Sequence, residues 1–130
     1  MICLDSDCII DFLKGKDEAV SLVEKYKEDI VTTEINKFEV LFGIYSKKKI
    51  DEKEKSITMS FFDSFDILPF DFGCGEEAAK ILSSLSKEGN IINQNDCFIG
   101  AIMFNNGCKT ILTRNRKDFE RINGINVVSY

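Results

Sequence analysis

The sequence predicts a single α/β domain in which helices cover both faces of a short, mostly parallel sheet. Three observations favour this class. Short apolar runs alternate with longer segments of helical periodicity, which is the pattern of βα units. The chain has 130 residues, of which 44% are hydrophobic, so it is long enough for one packed core and too short for two ordinary domains. It contains one proline, and no proline-punctuated linker is expected. We therefore expect residues 1–130 to form one domain.

The first half of the chain predicts two strands and four helices. Ile2 to Asp5 is a short apolar run that ends in an acid, and Ser6 follows as the expected N-cap of a helix through Asp7 to Leu13. The later elements of this half are a helix from Asp17 to Lys27 with Val20 and Val23 inward, a strand from Ile30 to Thr32, a helix from Glu34 to Lys47 and a helix from Glu52 to Phe65.

The helix from Glu34 to Lys47 carries a carboxylate at the edge of its apolar face. Glu39 lies four residues after Ile35 and three before Phe42, among large apolar residues at helical spacing. A desolvated carboxylate is strongly unfavourable unless it is paired or bound to a metal. A salt bridge to a lysine or arginine is the open alternative for Glu39. The residues expected to form the apolar faces are Phe38, Leu41, Phe42 and Tyr45 on this helix and Ile57, Phe61 and Phe65 on the next.

The second half of the chain predicts three strands and three helices. Gly73-Cys74-Gly75 has neither the P-loop lysine nor the dinucleotide-binding spacing, so we interpret it as a chain turn. The expected elements are a strand from Ile67 to Phe70, a helix from Glu76 to Lys87, a helix that starts near Asp96 and ends at Gly107, a strand from Lys109 to Thr113, a helix from Lys117 to Arg121 and a strand from Asn126 to Ser129.

The segment from Asn95 to Phe119 has the form of a functional site. Asp96 shares one helical face with apolar residues three, four and seven positions later, so its carboxylate is expected to point inward. The strand that follows ends in Thr113, with Asn115 just beyond it. In open α/β sheets, ligands bind outside the carboxyl ends of the strands. This segment is therefore the first place to look for a ligand.

The composition excludes several classes of function. The chain has no histidine, which removes Ser-His-Asp triads, Cys-His pairs and zinc sites with imidazole ligands. A net charge of −5 argues against a general polyanion binder, although a local basic patch can still hold a nucleic-acid strand. Five cysteines without a C-x-x-C pair predict buried reduced thiols and a cytoplasmic protein. The sequence has neither a signal-peptide pattern nor an apolar stretch of membrane-spanning length.

Four polar positions are expected to converge at the carboxyl end of the sheet. They are Asp5 after the first strand, Glu39 within a helix, Asp96 at a helix start, and Asn115 or Asp118 after a late strand. Taken singly, Asp96 is explained as a helix cap and Asp5 as a turn residue. If the acids gather, their repulsion favours a bound divalent cation, and Mg²⁺ or Mn²⁺ suits an oxygen-only site.

Three segments in order resemble the PIN-domain ribonucleases, and among them the VapC-type toxins of prokaryotic toxin-antitoxin pairs. The opening is ICLDSDCIIDFL, the mid-chain helix is TTEINKFEVLFGI, and the closing segment is IINQNDCFIGAIMFNNGCKTILTRNRKDFERINGINVV. The resemblance covers essentially the whole chain. It implies a three-layer α/β/α sandwich, a Mg²⁺- or Mn²⁺-dependent endoribonuclease, a homodimer, and a small antitoxin protein that blocks the site.

The resemblance also implies roles for individual residues. Metal-binding or catalytic roles fall on Asp5, Glu39 and Asp96, and hydrogen bonds from Ser6 and Thr113 are expected to order the site. The fourth polar corner falls on Asn115, where many relatives carry Asp, and the acid Asp118 follows three residues later. Asp7 stands where Asn is more usual, and we interpret it as a cap of the first helix. The implied phosphate contacts are Arg114, Arg116 and Lys117.

Two other functions remain open from the sequence. The pair Asp5 and Asp7 also resembles the opening of haloacid-dehalogenase-type phosphatases, but the supporting lysine and later Gly-Asp turn of those enzymes are not matched. The second alternative is a PIN fold without catalysis that serves as a binding module, which the amide at Asn115 favours and the three acids oppose.

Overall fold

The computed structural model describes residues 1–130 and contains five strands and seven helices. The strands are β1 (Ile2–Leu4), β2 (Ile30–Thr33), β3 (Asp66–Leu68), β4 (Thr110–Leu112) and β5 (Asn126–Val128). The helices are α1 (Ser6–Leu13), α2 (Asp17–Tyr26), α3 (Glu34–Tyr45), α4 (Glu52–Asp63), α5 (Cys74–Lys87), α6 (Gln94–Asn105) and α7 (Arg116–Glu120). Each element predicted from the sequence is present, and its ends lie within two residues of the predicted ones.

The five strands form one sheet in the order β3-β2-β1-β4-β5. All four strand pairs are parallel, so the sheet is wholly rather than mostly parallel. The chain builds outward from β1 to β3 on one side and then crosses to β4 and β5 on the other. The strand order therefore reverses beside β1, and the carboxyl ends of β1 and β4 border the crevice where such sheets bind ligands.

Helices cover both faces of the sheet, as the three-layer prediction requires. Cys3 and Ile111 lie in the core cluster formed with α5, α6 and α7. Leu4 and Leu112 lie in the second cluster, formed with α1, α2, α3 and α4. Successive strand residues thus point to opposite faces, and each face is buried. All five cysteines are buried and unpaired, as predicted. None of the seven helices is both long enough and apolar enough to cross a membrane.

The first correction concerns the start of α1. The N-cap is Asp5, not Ser6: Asp5 has an extended backbone (φ −76°, ψ 159°), and its carboxylate accepts a hydrogen bond from the Ser6 amide. The reason is that β1 passes directly into α1, which places the last acid of the apolar run at the cap and Ser6 inside the first turn. At α5, only Gly73 precedes the helix, with a φ of 88°, and Cys74 is already helical and fully buried. The turn therefore lies earlier than expected, at Phe72 and Gly73, and is closed by a hydrogen bond from the Cys74 amide to the Asp71 carbonyl at 3.1 Å.

The predicted apolar face of α3 is also wrong. Phe38 is 55% exposed and Phe42 is 62% exposed, whereas Asn36 and Val40 are buried. The asparagine determines this rotation, because its side chain is tied by hydrogen bonds to residues at the ends of β1 and β2. Turning the phenylalanines inward would break those bonds. Other members of the predicted faces that are exposed are Tyr45 on α3 and Ile57 on α4.

Candidate active site

A polar pocket lies at the carboxyl end of the sheet, beside β1. Strands β1 and β2 lead into α1 and α3 there, β4 leads into the loop before α7, and α6 begins opposite them. No apolar residue lines the pocket. Its eight lining residues are Asp5, Ser6, Asp7, Glu39, Asn93, Asp96, Asn115 and Asp118.

Asp5 lies at the centre of the hydrogen bonding and is 6% exposed. Its Oδ1 accepts from the Ser6 amide at 2.8 Å and from Asn36 Nδ2 at 3.0 Å. Its Oδ2 accepts from Thr113 Oγ1 at 2.6 Å. Three elements, α1, α3 and the end of β4, therefore hold one carboxylate in place.

Asn36 connects this centre to Glu39. Asn36 is fully buried, and its Nδ2 also donates to Ser6 Oγ at 3.0 Å. The serine hydroxyl in turn donates to Glu39 Oε1 at 2.7 Å. On the other side of the amide, the Thr33 hydroxyl donates to Asn36 Oδ1 at 2.7 Å. This chain of hydrogen bonds fixes the Glu39 carboxylate from one side, and Asn95 Nδ2 approaches its other oxygen at 3.4 Å.

The opposite wall of the pocket is formed by α6 and the segment after β4. Asp96, in the first turn of α6, is 7% exposed. Asn115 Nδ2 lies 3.4 Å from Asp96 Oδ2 and 3.1 Å from Asp118 Oδ2. The amide therefore bridges two acids at the position where the resemblance implies a fourth carboxylate. A neutral donor at this point reduces the negative charge of the pocket and ties α6 to α7.

Asp7 belongs to the pocket and does not cap α1, so the prediction of a cap was wrong. Its Oδ2 accepts from the Arg114 amide at 3.1 Å, and its carboxylate lies 3.3 Å from Thr113 Oγ1. The cause is the parallel pairing of β1 with β4, which sets the loop after Thr113 directly against the first turn of α1. Asp7 thus adds a fifth carboxylate to the site.

Three acids of the pocket have raised pKa values, and burial is the main cause in each. Burial raises the pKa of Asp5 to about 7, with a further increase from the charge of Asp7, although the hydrogen bond from Thr113 opposes it. Burial raises the pKa of Asp96 to about 8, and the charges of Asp5 and Glu39 add to the effect. The pKa of Asp7 is also raised, chiefly by burial. The ionised forms of Asp5 and Asp96 are therefore unfavourable in this pocket unless a proton or a cation compensates their charge.

Lysine and arginine side chains leave these acids unpaired. None of the protein's six salt bridges involves an acid of the pocket. The salt bridge that the sequence left open for Glu39 is therefore absent. No three acidic or cysteine side chains converge closely enough to form a ready-made metal cage. The donors are nevertheless oxygen atoms on several elements around one pocket, which is the donor chemistry that Mg²⁺ and Mn²⁺ prefer.

The structure brings together the residues predicted for the cation and catalytic site, which are Asp5, Ser6, Glu39, Asp96, Thr113, Asn115 and Asp118. The predicted phosphate contacts Arg114 and Arg116 form ion pairs with Asp11 and Glu120. Sequence reasoning missed Asn36 and assigned Asp7 to a different role. A signal for Asn36 was present, because it lies three residues before Glu39 and so shares its helical face. Without the sheet topology, nothing in the sequence distinguished it from an ordinary polar surface residue.

Comparisons with known proteins bear on the family and the fold. The family model described as "PIN domain" matches residues 2–125. A chain of the VapBC2 complex from Rickettsia felis, solved with a promoter DNA fragment, is 24% identical with a TM-score of 0.88, and the match covers 100% of this chain and 99% of that one. A chain of VapBC-1 from nontypeable Haemophilus influenzae is 21% identical with a TM-score of 0.83, with coverage of 99% and 98%.

A third solved structure, FitAcB from Neisseria gonorrhoeae, contains a chain that is 25% identical with a TM-score of 0.82, and the match covers 98% of this chain and 96% of that one. A search of curated protein sequences found no match. At these identities the structural similarity supports the fold, and the family model supports the family.

Proposed function

Since this chain belongs to the PIN-domain family, whose model spans residues 2–125, we propose that it is a divalent-cation-dependent endoribonuclease and the toxin of a toxin-antitoxin pair. PIN domains are generally nucleases, and a nuclease that uses a divalent cation needs oxygen ligands of the kind found in the acidic pocket described above. The family assignment favours this function over the haloacid-dehalogenase-type phosphatase.

One observation carries the proposal: five carboxylates line a single pocket without a lysine or arginine paired to any of them. Five carboxylates in one pocket, two of them buried, are unfavourable unless protons or a cation compensate their charge. A structural cluster would be expected to contain its own basic partners. The pocket is thus better explained as a binding site for Mg²⁺ or Mn²⁺ than as part of the core.

Each residue of the site has its own proposed role. Asp5 and Asp96 are the proposed cation ligands, because they are the most buried acids of the pocket and lie on opposite walls. Glu39 is held by the Ser6 hydroxyl and would complete the acidic side. Asn115 offers the pocket an amide at the remaining corner, with Asp118 behind it. Thr113 orients Asp5.

A bound cation would polarise a phosphodiester and lower the pKa of the attacking water. The protein's own contribution is to hold the carboxylates rigidly around the place where charge develops. Attack in line on the phosphorus, with the 3′ oxygen as leaving group, yields a 5′-phosphate and a 3′-hydroxyl. No histidine is needed for this chemistry.

The partners proposed for this chain are a small antitoxin protein, a second copy of the chain, and RNA, in the cytoplasm. The neighbouring solved structures are toxin-antitoxin complexes, which supports the antitoxin. The exposed aromatic side chains of α3, Phe38 and Phe42, supply an uncovered apolar surface of the kind that protein partners bury. Size measurements on the purified chain, alone and co-expressed with an adjacent small open reading frame, would test both associations.

The deciding experiment is cleavage of a mixed RNA substrate by purified protein with Mg²⁺, with Mn²⁺ and with EDTA. Asp5→Asn and Asp96→Asn are expected to lose at least about 100-fold in rate, because each removes a carboxylate from the proposed cation site. Asp29→Asn, which changes an exposed acid just before β2, at the end of that strand away from the pocket, is the matched control and should cut like wild type.

Cleavage that survives EDTA, or that both pocket variants retain, would contradict the proposal. If the wild type is inactive but binds RNA or a partner protein unchanged in the Asp5→Asn variant, the chain is a binding module. The amide of Asn115 favours that second function, because it replaces a negative ligand with a neutral donor.

A further inference from the structure

A second buried acid lies outside the pocket, on α1. Asp11 is 1% exposed. Its Oδ2 accepts from the Tyr130 hydroxyl at 2.6 Å and lies 2.7 Å from Arg114 Nε, and its Oδ1 lies 3.0 Å from Lys16 Nζ. Burial raises the pKa of Asp11, but the hydrogen bonds from Tyr130 and Lys16 outweigh burial and hold that pKa below its usual value. Asp11 is therefore an ionised, fully partnered carboxylate.

Arg114 joins this acid to the pocket. Its side chain binds Asp11 through Nε, while its backbone amide donates to Asp7 Oδ2. The residues on either side of it also take part in the site: Thr113 donates to Asp5, and the Asn115 amide donates back to Thr113 Oγ1 at 2.9 Å. The segment 113–115 is thus held on one side by the pocket acids and on the other by Asp11.

The partners of Asp11 come from separate parts of the chain. Tyr130 follows β5, Arg114 follows β4, and Lys16 precedes α2. Lys16 and Arg114 are about half exposed, with side-chain values of 55% and 49%, so water could satisfy them without Asp11. Asp11 has no such alternative. A buried ion pair is weak evidence for stability, but its directional hydrogen bonds select one arrangement of the segments that it joins.

We propose that Asp11 and Tyr130 are positioning residues that hold the segment 113–115, and through it Asp5 and Asp7, in the arrangement that binds the cation. Neither residue lines the pocket or touches its acids directly. The expected effect of these residues on catalysis rests on the proposed function. Its structural part, the placement of Arg114, stands on the geometry and can be measured without cation or RNA.

The test uses Tyr130→Phe, which removes one oxygen atom and keeps the ring, and Asp11→Asn, which removes the charge. The first measurement is hydrogen exchange at the Arg114 amide, which donates to Asp7, in metal-free protein. The second is the affinity for Mn²⁺, titrated well below the unfolding temperature. Tyr26→Phe, a partly buried tyrosine in the second core cluster, is the matched control.

Both variants are expected to speed exchange at Arg114 relative to the amides of β4, and to weaken Mn²⁺ binding by about three- to tenfold, at the low end of effects seen for residues that orient metal ligands. In RNA cleavage the cation concentration for half-maximal rate should rise by the same factor, and the rate at saturating Mn²⁺ should change less. Tyr26→Phe should change none of these.

Unchanged exchange at Arg114 and unchanged Mn²⁺ affinity would overturn the inference, even if both variants lowered the unfolding temperature. If wild-type protein neither binds Mn²⁺ nor cuts RNA, the proposed function fails by itself. The exchange measurement then still decides the positioning: faster exchange at Arg114 in Tyr130→Phe supports it, and equal exchange overturns it.

Discussion

Asp5 shows how the site balances burial against hydrogen bonding. Three donors point at its carboxylate, which by itself would lower its pKa. Burial and the neighbouring acid Asp7 nevertheless raise the pKa to about 7. The hydrogen bonds thus determine where the carboxylate lies, whereas burial and, to a lesser extent, the neighbouring acid Asp7 determine how strongly it holds a proton.

Asn36→Leu tests whether the buried amide holds this network together. Leucine has a similar volume but removes one hydrogen-bond partner from each of Asp5 Oδ1, Ser6 Oγ and Thr33 Oγ1. We expect a loss of roughly 2–4 kcal/mol in the free energy of unfolding, measured with urea at neutral pH. Asn123→Leu, at an exposed position, should change it by less than about 0.5 kcal/mol. Equal effects of the two variants would contradict the assignment.

Asp96→Asn should stabilise the protein in the absence of metal. The carboxylate of Asp96 has its pKa raised to about 8, so its ionised form is unfavourable in the folded protein. Removing it should increase the free energy of unfolding by roughly 1–3 kcal/mol near pH 8 with EDTA, and by much less near pH 4. Urea unfolding at both pH values measures this, with Asp29→Asn as control. A variant less stable than wild type near pH 8 would argue against charge crowding.

At the scale of the elements, α3 packs against the protein with one face and exposes aromatic side chains on another. Asn36 and Val40 face the protein, whereas Phe38 and Phe42 face solvent with their rings 5.9 Å apart. Glu39 lies between these faces and reaches the pocket rim. The helix therefore positions a site residue while leaving aromatic side chains uncovered for a partner.

The two faces of α3 predict opposite responses to substitution. Phe42→Ser should change the free energy of unfolding of the isolated chain by less than about 0.5 kcal/mol, because the ring is already mostly in water. Val40→Ala should lower it by roughly 1–3 kcal/mol, because it removes buried methyl groups from the second core cluster. Unfolding at low protein concentration separates folding from association. A larger effect at Phe42 than at Val40 would mean that the ring is covered in solution.

At the scale of the whole molecule, the sheet topology creates the site. Because β2 and β4 flank β1 in a parallel sheet, acids that are about 90 residues apart in sequence, Asp5 and Asp96, share one pocket. Bringing these carboxylates together destabilises the folded protein electrostatically, by an amount that depends on pH. A cation that binds only the folded protein offsets this destabilisation.

The stability of the metal-free protein should fall as pH rises from about 6 to about 8. The pKa values of Asp5 and Asp96 are raised from 3.8 to about 7 and about 8. The folded protein therefore binds more protons than the unfolded chain in this range, so the contribution of these protons is lost as pH passes through the folded-state pKa values. Calorimetry of the wild type in EDTA measures the trend. Stability that rises through this window would contradict the assigned shifts.

Addition of Mn²⁺ should reverse that loss. At a free concentration about 100 times the dissociation constant, binding to the folded state alone adds about 2.7 kcal/mol to the free energy of unfolding. The gain should be largest at the upper end of the pH range, where the ligands are ionised. Asp96→Asn should lose most of it and Asp29→Asn should keep it. An equal gain in all three proteins would indicate binding elsewhere.

The sequence by itself determined the element order, the α/β class and the identity of most polar site residues. Periodicity and turn residues encode these features locally, and an acid directly after an apolar run can be recognised without its neighbours. The sequence also contains no histidine, and this absence pointed to carboxylates as the catalytic groups. Helix ends were predicted only to within two residues, because a capping position depends on which backbone amides remain free.

Only the tertiary structure decided the rotation of α3, the role of Asp7 and the part played by Asn36. Each depends on contacts between residues more than 25 positions apart, as in the bonds from Asn36 to Asp5 and from Arg114 to Asp7. A hydrophobic pattern predicts that a helix buries one face, but α3 has two faces that are apolar enough to be buried. The hydrogen bonds of one buried amide select between them, because a buried amide without hydrogen-bond partners is unfavourable.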